Sequence, residues 1–492
     1  MSGSITFNEI PQSGWDLPRV AAEIRPSYTE AGIFEYPKKA LIFGVKVAGA
    51  AGAASVPFRV TRLADATARA GAGSIAEDMA ADMLADNPSL DLWMILVAEA
   101  SGAAKAAGSF AYSGTPTAAG TIARYIAGRR VAINITTSDT ATTIAAALRD
   151  AINAIPNMPV VATASTGTCT CTAKHAIDVG NDISLLANLG QDEATPPGIT
   201  ETITAMTGGS GAVDLTAALA AVTDEWFPYL VVPVTDTTNM GLLSTELDRR
   251  YNALGHLDAQ AFIGMKASLS TLAAYAPARN QWLLNMLGAP AAAVEPRWRL
   301  AAMFARQAIY YLAEDPARQL HTLPLRGMRA PVGGNFIDSE RNILVKAGVT
   351  TFRVANGVCI LERAVSTCTL DAQGVPTKAK QDIMEAAVAS RIRYDYRTYW
   401  QLNYPRHKLA PDGSPAADAS DNVMTPEGSL GVWAARCVIY QRLGWIVDIE
   451  KTLPLCRAQL PADGTRNRVQ QRLVYRRIDN MMQLDIALEY QA

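Results

Sequence analysis

Tyr229-Leu-Val-Val-Pro-Val234 and Ala259-Gln-Ala-Phe-Ile-Gly-Met265 are short apolar runs separated by a segment, 240–254, that reads as a helix. Strand, helix, strand is the repeating unit of a parallel sheet. The same texture extends outward on both sides. Residues 90–98 read as a buried strand and 215–225 as a helix. Further helices are expected around 269–287 and 297–313, carrying Trp and Tyr residues suited to core-facing surfaces. The alternation predicts a mostly parallel α/β sheet.

Residues 101–213 interrupt this pattern. They hold 18 Thr and no Trp, and they are bounded by Gly102, Gly108 and Gly114 at one end and by Pro196-Pro197-Gly198 and Gly208-Gly209-Ser210-Gly211 at the other. Such punctuation marks an inserted β-rich domain. Within it, 122–127 and 130–135 alternate around Gly128 as a hairpin would. A helix follows, with Ser138 or Asp139 as cap, Ile144, Leu148 and Ile152 on one face, and Pro156 as its end. Beyond Gly348 a second hairpin is expected, 349–354 and 358–363 around Asn356-Gly357, followed by long helices near 380–402 and 425–443. The division expected is therefore an N-terminal arm (1–30), a discontinuous α/β core domain (31–100 and 214–345), the insertion (101–213), an α+β C-terminal domain (346–480) and a C-terminal arm (481–492).

The two ends alternate with a period of two. Met482, Leu484, Ile486, Leu488 and Tyr490 interleave with polar or small residues to the end of the chain, and Ile5 and Phe7 do so at the start. A lone strand leaves its amides and carbonyls unpaired along both edges, so these ends need a sheet to join, in this chain or in another.

Composition narrows the function. The 492 residues carry 44 Lys and Arg against 46 Asp and Glu, a net charge of −2, so no overall basic field exists to hold nucleic acid. Charged residues are only 18% of the chain, against about 25% in ordinary soluble domains, and 85 residues are Ala. That surface suits a protein largely covered by neighbours. The start of the chain has no basic residue before Arg19 and no apolar h-region, which argues against a secretory signal. The most apolar stretch, 40–58, is broken by Lys46 and falls short of the roughly 20 apolar residues of a spanning helix. Six scattered cysteines fit synthesis in a reducing cytoplasm rather than a disulfide framework.

Chemistry is sparse. Gly71-Ala-Gly73-Ser-Ile-Ala76 fits the loose dinucleotide fingerprint, and a nucleotide-binding α/β enzyme using that loop is the alternative reading. The residues before it are polar and Ala-rich where a buried strand is required. No Gly-Lys pair occurs, so a P-loop is excluded. Cys169, Cys171 and His175 could ligate zinc, but no second ligand pair lies nearby, and two small buried residues on one strand face is the simpler reading. His256, His321 and His407 are isolated. No enzyme, cofactor or metal is expected. Arg391, Arg393 and Arg397 interleave with Tyr394, Tyr396, Tyr399 and Trp400; at helical spacing Tyr396, Trp400 and Tyr404 form a packing stripe. Between 457 and 477, six arginines stand against Asp463, a local net charge of +5 that is either a solvated face or a docking surface for an acidic protein.

Several of these segments together resemble the tail sheath proteins of contractile-tailed phages, in particular the Mu-like group, which also occurs in prophages and tailocins. The likeness is carried by Ile5-Thr-Phe-Asn8 with Ile10-Pro11, by Gly71-x-Gly73-Ser74 and Asn87-Pro88 ahead of Leu92-Trp93, and by Tyr125-Ile-Ala-Gly128-Arg129 and Gly180-Asn-Asp182-Ile183. In the C-terminal third it rests on Gly348-Val-Thr-Thr-Phe352, Leu361-Glu-Arg363, Arg393-Tyr-Asp-Tyr-Arg397 and Tyr404-Pro-Arg-His-Lys-Leu409. The resemblance implies a subtilisin-like core without protease chemistry, consistent with the missing triad signals. It implies a subunit that polymerises helically around an inner tail tube and contracts to drive the tube through a cell envelope for genome ejection. Terminal strands carrying Ile5, Phe7, Leu484, Ile486, Leu488 and Tyr490 would join neighbouring subunits. Arg466, Arg468, Arg472, Arg476 and Arg477 are expected to face the tube. The partners implied are other copies of the chain, the tube protein, and baseplate and tail terminator proteins, with no direct nucleic-acid contact and no membrane segment. The location implied is the virion tail, after assembly in the host cytoplasm.

Overall fold

The computed structural model describes residues 32–85, 90–465 and 467–489. The chain divides into units 1–35 and 36–492. Residues 32–35 carry no regular element, and all that follows lies in the second unit. It begins with β1 (Lys39–Val45), β2 (Pro57–Arg59), α1 (Leu63–Ala70), α2 (Ile75–Leu84) and β3 (Asp91–Val97). The chain then builds β4 (Ala107–Gly114), β5 (Gly120–Ile126), β6 (Arg129–Ile135), α3 (Ala141–Asn153), β7 (Val160–Ser165), β8 (Thr168–Ala173), β9 (Leu185–Ala187) and β10 (Ile199–Thr207). It returns with α4 (Thr216–Ala221), β11 (Tyr229–Val231), α5 (Thr237–Tyr251), β12 (Gln260–Ala267), α6 (Leu269–Tyr275), β13 (Leu284–Pro290) and α7 (Arg297–Glu314).

The six-stranded sheet has the order β13-β12-β11-β1-β3-β2. Every pairing is parallel except β2 with β3. Parallel strands are covered on both faces, and β1 and β13 are accordingly apolar and buried along almost their whole length. The sheet forms as the alternation predicts, with two differences. Leu284–Pro290 is a buried edge strand, not the end of a helix: α6 stops at Tyr275 ahead of Pro277, and a short, mostly apolar run such as Leu283-Leu-Asn-Met-Leu287 has no periodicity to tell strand from helix. The 215–225 helix shortens to α4, because its terminal carbonyls are taken by side chains: Arg250 donates to Val222 and Glu225, and Arg249 to Thr223.

Between β3 and β11, a four-stranded sheet of order β10-β4-β8-β7 and a three-stranded sheet of order β6-β5-β9 stand apart from the main sheet. The β5–β6 turn places Ala127 and Gly128 at φ +48° and +79°, the signature of a type I′ hairpin. The cap of α3 is Thr140, whose hydroxyl accepts from the Thr143 amide, not Ser138 or Asp139. The threonines have a structural reason: Thr163, Thr170 and Thr204 line up across β7, β8, Ser109 of β4 and β10 on one partly exposed face, while Cys169, Cys171 and Phe110 are buried on the other. One apolar cluster runs from Leu41 of β1 through Phe110 and Leu148 to Phe352 and Ile383.

The last third holds α8 (Asp338–Lys346), the hairpin β14 (Thr351–Ala355) and β15 (Val358–Arg363), α9 (Ile383–Asn403), β16 (Lys408–Leu409), α10 (Pro415–Asp418), β17 (Val423–Met424), α11 (Pro426–Arg442), β18 (Ile446–Val447), α12 (Ile449–Thr452), β19 (Arg457–Gln459), β20 (Gln470–Arg472) and β21 (Arg476–Arg477). Asn356 and Gly357, at φ +51° and +78°, turn the hairpin as the Asn-Gly pair predicts. Residues 482–489 form no ladder among the described residues. No helix among the described residues is long and apolar enough to cross a membrane.

Close approach of α7 to the sheet depends on Gly264 of β12. A Cβ there would lie 2.4 Å from the Arg297 carbonyl oxygen and 2.8 Å from the Ala301 amide nitrogen, both backbone. Gly264→Ala should therefore destabilise the subunit by about 1–3 kcal/mol. Gly241→Ala, in open space on α5, should leave stability unchanged or raise it by about 0.5–1 kcal/mol. Urea unfolding of the soluble subunit measures both.

Candidate assembly interface

In an open parallel sheet, ligands bind beyond the carboxyl ends of the strands where the strand order reverses. Here the chain steps from β1 to β3 on one side and then to β11 on the other, so the reversal lies at β1. The 101–213 segment reaches the starts of α2 and α7 and the carboxyl end of β12. The fingerprint glycines serve this contact. Gly73 has φ +73°, and a Cβ on it would come within 2.2 Å of the Met158 carbonyl oxygen and 2.4 Å of Lys174 Nζ. Lys174 donates to the Ala72 carbonyl at 2.8 Å.

The amides at the start of α2 are already occupied. Gly73 donates to Glu77 Oε2 at 2.6 Å, the Glu77 amide to Ser74 Oγ at 3.0 Å, and the Ile75 amide to His175 Nε2 at 3.0 Å. A carboxylate and an imidazole thus stand where the alternative reading needs a pyrophosphate. Because His175 Nε2 accepts, its Nδ1 carries the proton and donates to Glu99 Oε1 at 2.7 Å. His175 is thereby turned to Ile75 and Glu99, not to Cys169 and Cys171, which are buried within the insertion. Among the described residues no group of three or more His, Cys, Asp or Glu is placed to hold a metal.

Buried charge completes the joint. Arg297, at the start of α7, grips Asp182 through Nε and Nη2 at 2.5 and 3.0 Å, Asp178 at 3.0 Å and the Thr235 hydroxyl at 3.1 Å. Arg129, in the β5–β6 turn, reaches Asp78 of α2 at 2.5 Å, and Trp298 Nε1 donates to the same carboxylate at 3.2 Å. Arg299 holds Asp82 bidentately at 2.8 and 2.9 Å. Burial pushes the Asp178 carboxyl above its ordinary value, with Arg297 opposing, and burial pulls the Lys266 ammonium below its own. Such pairs add little over an apolar contact, but removing one partner strands a charge at about 3–5 kcal/mol. This joint is not visible in the sequence, since its partners lie 51–220 residues apart.

In the last third, Asp395 is fully buried and accepts from Arg436 at 2.5 Å and from the Tyr440 hydroxyl at 2.5 Å, tying α9 to α11. The aromatic stripe is a packing face: Tyr396 meets Trp433 edge-on at 5.1 Å, and Trp400 meets Tyr404 at 4.8 Å. Arg393 pairs with Asp258 at 2.9 Å.

The arginine run divides. Arg477 is bound to Glu385 at 2.5 Å, and Arg476 to Asp448 and Asp479 at 2.9 and 3.0 Å. β21 itself pairs with β18. These contacts anchor the root of the C-terminal segment. Arg468 meets Asp463 at 3.0 Å on an exposed turn, and Arg472 is exposed with no acidic partner among the described residues. Beyond the root, Leu484, Ile486 and Leu488 are 69%, 67% and 93% exposed. Ile5, Phe7, Arg466 and Tyr490 lie outside the described residues.

A family model described as the central domain of the phage tail sheath protein matches residues 208–367. The Mu-like prophage FluMu tail sheath protein of Haemophilus influenzae is 33% identical over 412 residues, covering 84% of this chain and 84% of that protein. Of solved structures, the sheath tail protein of Desulfitobacterium hafniense aligns with a TM-score of 0.50 at 13% identity over 94% of this chain and 97% of that one. The sheath tail protein of Listeria innocua aligns at 0.47 and 11% identity over 91% and 94%. The former likeness is one of fold; the sequence relation goes further. A third of the residues shared along most of both chains means that the chain belongs to the phage tail sheath family as a structural subunit of a contractile tail.

Proposed function

We propose that the subunit polymerises by lending its C-terminal strand, and its N-terminal one, to neighbouring copies around an inner tube, and that the resulting sheath contracts as a lattice of rigid bodies to drive the tube through an envelope for genome ejection. The observation that carries this reading is the 482–489 segment, alternating, acid-bearing and unpaired, with three large apolar side chains in solvent. Ordering such a strand costs about 1–2 kcal/mol per residue, more than its ladder hydrogen bonds return at about 1 kcal/mol each. Burial of Leu484, Ile486 and Leu488, at about 1.5–3 kcal/mol each, tips the balance once a neighbour provides a sheet.

In this reading the core is subtilisin-like in topology, 346–480 forms the inner C-terminal domain, and 101–213 faces outward. Arg466 and Arg468 meet the tube. Arg476 and Arg477 serve the root of the strand, and Arg472 is taken up below. Baseplate and terminator proteins bound the polymer at its ends in the virion tail. Exposed ion pairs are worth about 0–1 kcal/mol each, which suits a tube contact that registers and then releases.

Deletion of 481–492 should leave a folded, soluble subunit that forms no tubes by electron microscopy; tubes of normal length would overturn strand exchange. The outward position of 101–213 is tested by labelling, because all six native cysteines are buried. Thr202→Cys, exposed on β10, should react with a maleimide as fast in the polymer as in the free subunit, and protection on assembly would place the segment inside. Arg466→Glu with Arg468→Glu should form sheaths alone but fail to co-assemble on purified tubes; unchanged co-assembly at low and high salt would remove the tube assignment.

A further inference from the structure

Arg457 and Arg472 stand directly opposite one another in the β19–β20 pair. Between them and the helices lies Gln471, whose side chain donates to the Ser429 carbonyl and accepts from the Tyr396 hydroxyl, each at 3.1 Å. Alternation then turns Arg472 and Gln470, with Arg457 and Gln459 across from them, to solvent, and all four are exposed. Arg457 donates to the carbonyls of Pro454 and Cys456 at 2.5 and 2.7 Å. Neither arginine has an acidic partner among the described residues. Like charges at directly opposed positions repel, and the two strands form a sheet of two with no further ladder.

The segment that follows Arg477 has the opposite character. It holds Asp479, Asp485 and Glu489 and no Lys or Arg. Asp479 is used by Arg476. Asp485 and Glu489 share one face of the alternating strand, with Ala487 between them, and Leu484, Ile486 and Leu488 share the other. The chain's own segment does not deliver these carboxylates to its hairpin: it leaves from Trp445, whose carbonyl accepts from the Ile478 amide at 3.1 Å, and passes Gln319, whose amide donates to Met482 Sδ at 3.5 Å.

We propose that Arg457 and Arg472 are an electrostatic latch for Asp485 and Glu489 of a second copy's C-terminal segment, and that the latch sets the register of the exchanged strand. This rests on the strand-exchange reading and adds the residues that select the strand. A strand added along the hairpin lies about 4.8 Å from its neighbour, within reach of an arginine side chain. Slipping it by one residue turns Leu484, Ile486 and Leu488 to solvent. With Ala487 level with the opposed arginines, Asp485 and Glu489 lie two residues to either side, about 7 Å along the strand, and slipping it by two leaves one carboxylate about 13 Å from the pair. Hydrophobic burial supplies the holding force, and the arginine pair, repelling in the free subunit, makes the correct register the one in which its charge is neutralised.

The test is a charge exchange in the full chain without tube, scored by sedimentation and electron microscopy, with thermal unfolding as the check on folding. Arg457→Glu with Arg472→Glu, and separately Asp485→Lys with Glu489→Lys, should each raise the concentration needed for polymerisation by about tenfold or more, given two exposed pairs turned from attraction to repulsion. All four changes together should restore it to within about threefold of the parent. In salt near 1 M, where the Debye length is about 3 Å, parent and reversed chains should converge. Should the arginine double variant misfold, Arg472→Gln is used, with a smaller rise and a weaker salt dependence expected. Unchanged polymerisation of either reversed chain, or failure of the combined chain to recover, overturns the latch. If those results coincide with loss of tubes on deleting 481–492, strand exchange stands and only the latch falls; if the deleted chain still polymerises, both fall.

Discussion

Arg297 is the contact on which the joint between the two main sheets depends: it binds Asp178 and Asp182 of the 101–213 segment from the start of α7, while Arg129 with Asp78, and Lys174 with the Ala72 carbonyl, make the connection at and just before α2. These contacts are partly buried and multiple, so they resist partial opening: breaking one leaves a poorly solvated charge without its partner. Two separate sheets are thereby joined into one mechanical part. Such a joint suits the rigid-body contraction proposed above.

The opposite end of the molecule is organised by the same chemistry at lower burial. Glu385, Asp448 and Asp479 hold Arg476 and Arg477, so the C-terminal strand leaves the body from a defined point. In the strand-exchange reading, an anchored root and an exposed segment beyond it would divide the labour: the root transmits force, and the exposed part finds a neighbour. The Asp395–Arg436–Tyr440 cluster and the aromatic stripe behind it keep α9 and α11 together under that pull.

Much of this was legible in the sequence where the signal was local. The two Asn-Gly or Gly-centred hairpins and the α3 helix depend on neighbours a few residues apart, and all left periodic or turn signatures. Leu284–Pro290 did not, because a strand buried on both faces is apolar throughout and mimics a helix. The glycines at 71 and 73 were visible but ambiguous: a backbone must come close to something there, and whether that something is a phosphate or another part of the chain is a tertiary fact. Arg297 and Asp182, 115 residues apart, could not be paired from one sequence at all. The arginine run was legible as charge but not as a division into anchored and unpartnered members, which depends on Glu385 and Asp448 arriving from other elements.

Asn153, at the end of α3, donates to the Ala162 carbonyl and accepts from the Ala162 amide, both at 2.9 Å. Its side-chain amide imitates a passing strand and stops the outer edge of β7 from accepting a real one. The edge of β13 is likewise covered by Thr350 and Thr367, and β2 is three residues long and starts at a proline. Such stoppers limit the number of places a stray strand can dock, so in the strand-exchange assembly proposed above they would favour linear growth over a branched tangle.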